Sequence, residues 1–248
     1  LGDVYKRQVF GTPLAGAVFA LEVMALTRVK LWYLIPSVIV AFVADYSCAI
    51  YPIAHTHYHI TEIPDITFTN AFYTIGCAIL FGLAALLFSK TVHFFSTQFK
   101  RFIAYPPLRP VLGGVVIALV VWALGTTKYI GLGVPTIVEA FSISEPPYAF
   151  LLKLLLTTFT LGAGFKGGEV TPLFFIGATL GSALFMIIPL PLSLLAGMGF
   201  IAVFSGATHT PVACTIMGLE LFGTEGALYL ALACAVAYLF SGTKGIYS

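Results

Sequence analysis

Between residues 9 and 241 the chain is a succession of apolar runs. We read nine: 9–27, 31–50, 71–95, 111–125, 147–163, 172–188, 193–206, 210–223 and 225–241. About 20 such residues cross the hydrocarbon of a bilayer, and in lipid the backbone must satisfy its own hydrogen bonds. The later runs are short and closely spaced, which predicts tilted or half-spanning helices rather than a regular up-and-down bundle. Charged residues make up 9% of the 248, against about 25% in a soluble domain. This excludes a soluble domain, and a net charge of +2 gives no footprint for nucleic acid. The expected fold is an all-α membrane bundle with the lipid bilayer as its first partner.

The few charges predict an orientation. Arg28 and Lys30 follow the first run, and Lys90, Lys100, Arg101 and Arg109 follow the third. The intervening loop, 51–70, carries Glu62, Asp65 and three histidines but no Lys or Arg. Basic loops stay cytoplasmic, so 51–70 is expected to face outward. Lys153, inside an apolar run, is expected to snorkel its ammonium to an interface.

One break between runs carries chemistry. Gly162–Gly181 reads GAGFKGGEVTPLFFIGATLG and sets Glu169 and Thr171 in a Gly/Pro-interrupted gap. Acids at membrane depth are costly and mark ion or proton pathways. Irregular backbone survives there only where protein buries it or where it lines a cavity. Pro172 suits the first turn of a helix, and Gly164, Gly167 and Gly168 let the chain turn before it. A helix start offers orphan N–H groups and a positive dipole end to an anion. Thr171 can donate a hydrogen bond, as can a neutral Glu169, whereas the Glu169 carboxylate would repel the ion. Structural roles compete with these: Glu169 as a capping acid paired with Lys166, and Thr171 as the N-cap ahead of Pro172.

The chain also echoes itself. Thr12–Glu22 reads TPLAGAVFALE and Thr210–Glu220 reads TPVACTIMGLE, with Thr, Pro, Ala, Leu and Glu at matching places. Internal repeats with interrupted helices are characteristic of transporters whose site lies where the repeats meet. Glu22 and Glu220 are expected to cap or brace helix ends.

These segments resemble the CLC chloride channels and antiporters. Thr12–Gly16 with Phe19 and Glu22 is similar to that family's NAPLAG…F…E helix. Gly168-Glu169-Val170-Thr171-Pro172 is similar to its GxFxP anion motif, and Thr210–Ala213 through Glu220 to its APLTG…LE helix. Lys244-Gly245-Ile246-Tyr247 falls where the family has a pore-facing tyrosine. Two departures stand out. Val170 replaces the Phe of GxFxP, flanked by Glu169 and Thr171, and Glu22 is followed by Val23 where chloride/proton antiporters have a second acid, their internal proton relay. GEVTP without that relay resembles the fluoride-exporting branch.

The resemblance implies a CLC-type bundle of tilted, partly broken helices, the second portion of an inverted-repeat transporter. It implies fluoride export in exchange for protons, with Gly168, Glu169, Val170, Thr171 and Tyr247 at the anion site and Glu169 in proton coupling. It implies a homodimer paired through helices near 12–26 and 211–222, one pore per subunit, in a bacterial inner membrane. The family's first anion loop and gating glutamate would lie before Val9. Leu1–Gln8, LGDVYKRQ, resembles a translated sequencing adaptor and lacks a signal-peptide pattern, which leaves 9–248 as the expected transmembrane portion.

Other readings are weaker. A chloride channel or chloride/proton antiporter is the alternative. A metal-dependent intramembrane enzyme built on His55, His57 and His59 is the outside one, and a solvated outer loop accounts better for those histidines. No nucleophile–base motif is present, so no enzyme, cofactor or metal is expected. Cys48, Cys77, Cys214 and Cys234 have no paired spacing and read as core residues.

Overall fold

The computed structural model describes residues 11–24, 31–50, 56, 58–243 and 245–247. Ten α-helices run through them: α1 (Pro13–Met24), α2 (Leu34–Ile50), α3 (Phe68–Phe102), α4 (Leu108–Leu124), α5 (Val134–Glu139), α6 (Ala149–Gly162), α7 (Val170–Leu184), α8 (Leu192–Thr208), α9 (Pro211–Phe222) and α10 (Ala227–Phe240). Among the described residues there is no strand. Nine of the helices fall on the nine apolar runs. The tenth, α5, is too short for a hydropathy window. Its signals are Gly133 ahead of it and Pro135 in its first turn.

Only α3 among the described helices is long and apolar enough to cross a membrane alone. Its 35 residues reach about 52 Å at 1.5 Å each, well beyond a hydrocarbon core of about 30 Å. The hydropathy run, 71–95, marked its lipid part. Thr67 starts it earlier by accepting a bond from Asn70 N–H (3.2 Å), and its polar end runs through Lys100 and Arg101. Lys90 therefore lies within the helix, not after it. Arg109 closes the turn into α4 by donating from Nε to the Ile103 carbonyl (2.9 Å).

α7 and α8 form the centre. Every residue of α7 but Thr171 is buried, as is every residue of α8 but Leu192. A helix apolar on all sides belongs inside. The pair meets backbone to backbone: a methyl group added at Gly177 would sit 2.1 Å from the Gly199 carbonyl oxygen, and one at Gly181 would sit 2.1 Å from that of Leu195. Small residues at such crossings are how membrane helices approach closely. Aromatic rings seal the contact, with Phe174 stacked on Phe200 at 4.0 Å and Phe19 of α1 on Phe204 at 5.5 Å. All four cysteines are buried and unpaired.

The two echoed segments pack together as α1 and α9, and each caps the other. The Glu22 carboxylate accepts from the N–H groups of Val212 (3.0 Å) and Ala213 (2.7 Å). The Glu220 carboxylate accepts from Leu14 and Ala15 (both 2.9 Å). The bracing expected of these acids is present, and it is reciprocal. Each acid sits near one helix's end and satisfies the orphan donors at the other's start.

Two outcomes follow. Gly177→Ala forces α7 from α8 and costs roughly 1–3 kcal/mol or more, read as a lowered thermal aggregation midpoint in detergent. Gly76→Ala, where the added methyl meets nothing within 4 Å, leaves the midpoint unchanged or raises it. Glu22→Ala and Glu220→Ala each cost about 1–2 kcal/mol as lost caps, and the double variant falls further in the same assay.

Candidate functional site

The break between α6 and α7 leaves open space beside its glycines. Gly164 holds φ +94°, a conformation side chains with a Cβ avoid. Methyl groups at Gly167 and Gly168 would meet nothing within 4 Å. That open side borders a cavity of about 450 Å³ reaching from Gly167, Gly168 and Pro172 to the loop 129–132.

Glu169 is the N-cap of α7, and its carbonyl accepts from Leu173 N–H (3.0 Å). Its side chain makes no capping bond, and it forms no ion pair with Lys166 among the described residues. Glu169 and Thr171 are half-buried while Val170 is buried. Thr171 is not the N-cap; it stands second in the helix, because the turn closes two residues earlier on the Glu169 carbonyl. The first N–H groups of α7 have no partner within the helix, and Pro172 carries none.

The register of α7 on α8 decides what shares this end. Gly177 faces Gly199, so counting eight residues back along one helix and eight on along the other sets Glu169 level with Ala207. The Ala207 carbonyl accepts from Ile246 N–H (2.9 Å). A methyl at Gly245 would lie 3.0 Å from that same oxygen, so the tail runs tightly along the end of α8. Tyr247, exposed, follows directly on this contact at the end of α8. Lys244, before it, lies outside the described residues.

The α8–α9 turn at the same end is polar and tight. His209 is the single non-glycine with positive φ (60°) among the described residues. Beside it the hydroxyls of Thr208 and Thr210 are 2.6 Å apart. His93 lies inside the long α3.

Lys153 corrects an expectation. It does not snorkel: it is 1% exposed, its Nζ donates to the Gly131 carbonyl (2.5 Å) and it lies 4.9 Å from the Phe175 ring centroid. The loop holding Gly131 curls back over α6, because Gly131 and Gly133 both take positive φ, and Gly133 packs where a methyl would strike the Phe175 ring. The ammonium thus borders the cavity from inside. Sequence gave only its position in an apolar run.

Of the three rival histidines only His59 is described. His59 is exposed, His55 and His57 lie outside the described residues, and no metal-binding group of three His, Cys, Asp or Glu occurs among those described.

Comparison with known proteins adds to this geometry. The sequence profile of the voltage gated chloride channel family matches residues 8–242. A chloride/fluoride channel protein of Pseudomonas syringae pv. tomato is 49% identical over 96% of the chain and 54% of its own length. The voltage-gated ClC-type chloride channel ClcB of Salmonella typhimurium is 27% identical over 94% of the chain and 58% of its own length. The crystal structure of a CLC-type fluoride/proton antiporter superposes with TM-score 0.91 at 32% identity, over 96% of the chain and 60% of that protein. A slow cyanobacterial Cl⁻/H⁺ antiporter shares the fold at TM-score 0.78 and 22% identity. The chain spans rather more than half the length of the relatives it matches. With broken helices, a Gly/Pro-interrupted turn before α7 and a profile match along almost its whole length, this chain belongs to the voltage gated chloride channel (CLC) family of membrane transport proteins.

Proposed function

We propose that the protein exports fluoride in exchange for protons, with the anion held at the start of α7. One observation supports the reading above others: GEVTP opens the central buried helix with an acid that makes no capping bond, and the tail just before Tyr247 binds the end of α8. Backbone N–H groups of the first turn, the Thr171 hydroxyl and the Tyr247 hydroxyl supply donors for a small anion that gives up its water reluctantly. The solved fluoride/proton antiporter with the same fold supports the choice of ion.

Glu169 is the coupling group. A carboxylate beside the anion repels it, whereas the neutral acid donates a hydrogen bond to it, so occupancy by anion favours uptake of a proton. The other acids bordering the core are already engaged. Glu22 and Glu220 hold helix starts, and Glu145 pairs with Lys128 at 2.8 Å.

The protein works as a homodimer in the bacterial inner membrane, paired through α1 and α9. Exposed Leu14 and Val212 give that surface its apolar contact. Transport of chloride by the same turn is the second reading, favoured by the chloride-channel relative at 27% identity.

The test is halide efflux from proteoliposomes carrying the full-length gene product. An inward proton gradient drives fluoride out, and Glu169→Gln uncouples efflux from the gradient. Thr171→Ala raises the half-saturating fluoride concentration roughly tenfold, the loss of one charge-assisted hydrogen bond. Chloride efflux at equal rate, indifferent to both substitutions, overturns the proposal.

A further inference from the structure

The end of α8 carries a polar atom that nothing among the described residues satisfies. Nε2 of His209 is buried with no hydrogen-bond partner, the one such side-chain atom among those residues. An enclosed polar atom left unpaired is costly. His209 also holds the left-handed backbone (φ 60°), which a residue with a Cβ adopts at a cost. The packing that imposes both is specific. The Tyr238 ring of α10 stands edge-on at 5.4 Å, and a methyl at Gly245 of the tail would lie 3.4 Å from the imidazole. The neighbouring Thr208 and Thr210 hydroxyls bond each other at 2.6 Å rather than the ring. No carboxylate, lysine or arginine among the described residues pairs with it. The residue is nonetheless partly exposed, so it reaches from an enclosed nitrogen to open space.

The place of the ring gives that arrangement a use. Ala207, level with Glu169 by the register of α7 on α8, comes two residues before His209. In the orientation expected from Arg28 and Lys30, the end of α1 is cytoplasmic. Glu22, near that end, caps Val212 and Ala213, which follow closely on His209. The imidazole thus shares the cytoplasmic end of the bundle with the start of α9. Histidine gains and loses a proton near neutral pH, and its two nitrogens can accept one and release the other. Of the other described histidines, His59 lies ahead of α3 and His93 inside it.

We propose that His209 is the exit relay for the proton, accepting what Glu169 gives up and releasing it to the cytoplasm. One ring nitrogen binds the incoming proton and the neutral imidazole becomes imidazolium, while Glu169 returns to carboxylate. The proton on the other nitrogen then leaves to water, and the ring is neutral again. No carboxylate holds the imidazolium, so the proton is released readily. The relay rests on the fluoride/proton reading and adds a second titrating group to it.

The experiment follows fluoride efflux and proton uptake in proteoliposomes carrying the full-length gene product. His209→Asn removes the titrating ring but keeps a residue that tolerates the left-handed backbone, and His209→Gly does so without a side chain. Both slow gradient-driven efflux roughly tenfold and leave the half-saturating fluoride concentration within about threefold. Lowering both sides together from about pH 7 to about pH 5, at constant gradient, slows the wild type as the imidazole fills with protons. The two variants lack this fall. In Glu169→Gln, whose efflux needs no proton, adding His209→Asn changes the rate less than about twofold. Equal slowing in both backgrounds overturns the relay and assigns His209 to holding the tail, and an unchanged rate in His209→Asn overturns it as well. Size-exclusion profiles report which variants fold. If neither does, the wild-type profile decides alone, and a flat one across that pH range overturns the relay. A wild type whose fluoride efflux ignores the proton gradient sinks the exchange reading itself, and the relay with it.

Discussion

The contact on which the rest depends is the backbone approach of α7 to α8 at Gly177 and Gly199. In lipid, apolar side chains gain little by leaving the tails for each other, so helices associate through close packing. A methyl at either glycine would reach 2.1 Å from the opposite carbonyl, so this approach exists only because both positions lack a Cβ. Three placements follow from it. The start of α7 lies level with the end of α8, the tail bound to Ala207 brings Tyr247 to that end, and the Phe174–Phe200 stack closes the space between.

Around that centre the acids divide by what they bind. Glu22 and Glu220 exchange caps between the echoed helices, and each spends its charge on two N–H groups of its counterpart. This reciprocity is the structural content of the repeat. Two short helices, each with orphan donors at its start and an acid near its end, satisfy one another when they pack antiparallel. Glu145 is spent on Lys128. Glu169 makes no capping bond of this kind. Lys153 is its basic counterpart, held by a carbonyl and a ring rather than by a carboxylate.

How far the primary structure could be read depended on the scale of each feature. Helix existence was legible wherever a run exceeded about ten apolar residues, because burial in lipid forces such runs to be helical. Helix limits were less legible: α3 outran its apolar part by about two turns that carry Lys100 and Arg101, since a helix continues into water when its caps allow. The six-residue α5 escaped notice for want of periodicity. Gly168–Thr171 stood out because an acid, a hydroxyl and glycines beside a proline are costly in a membrane unless they are used.

What residue order alone established is therefore the membrane class, the nearly complete set of helices, the echoed pair and the Gly/Pro break before α7. Each of these depends on neighbours within a few residues, where propensity, hydropathy and capping act. Tertiary structure decided that Glu22 and Glu220 brace each other's helix across about 190 and 205 residues, that Thr171 sits inside α7 and not at its cap, and that Lys153 is enclosed instead of reaching an interface. The physical reason is common to all three. A donor's or a charge's partner in this bundle comes from a distant segment, and which segment arrives is set by the glycine crossings that bring backbones into contact.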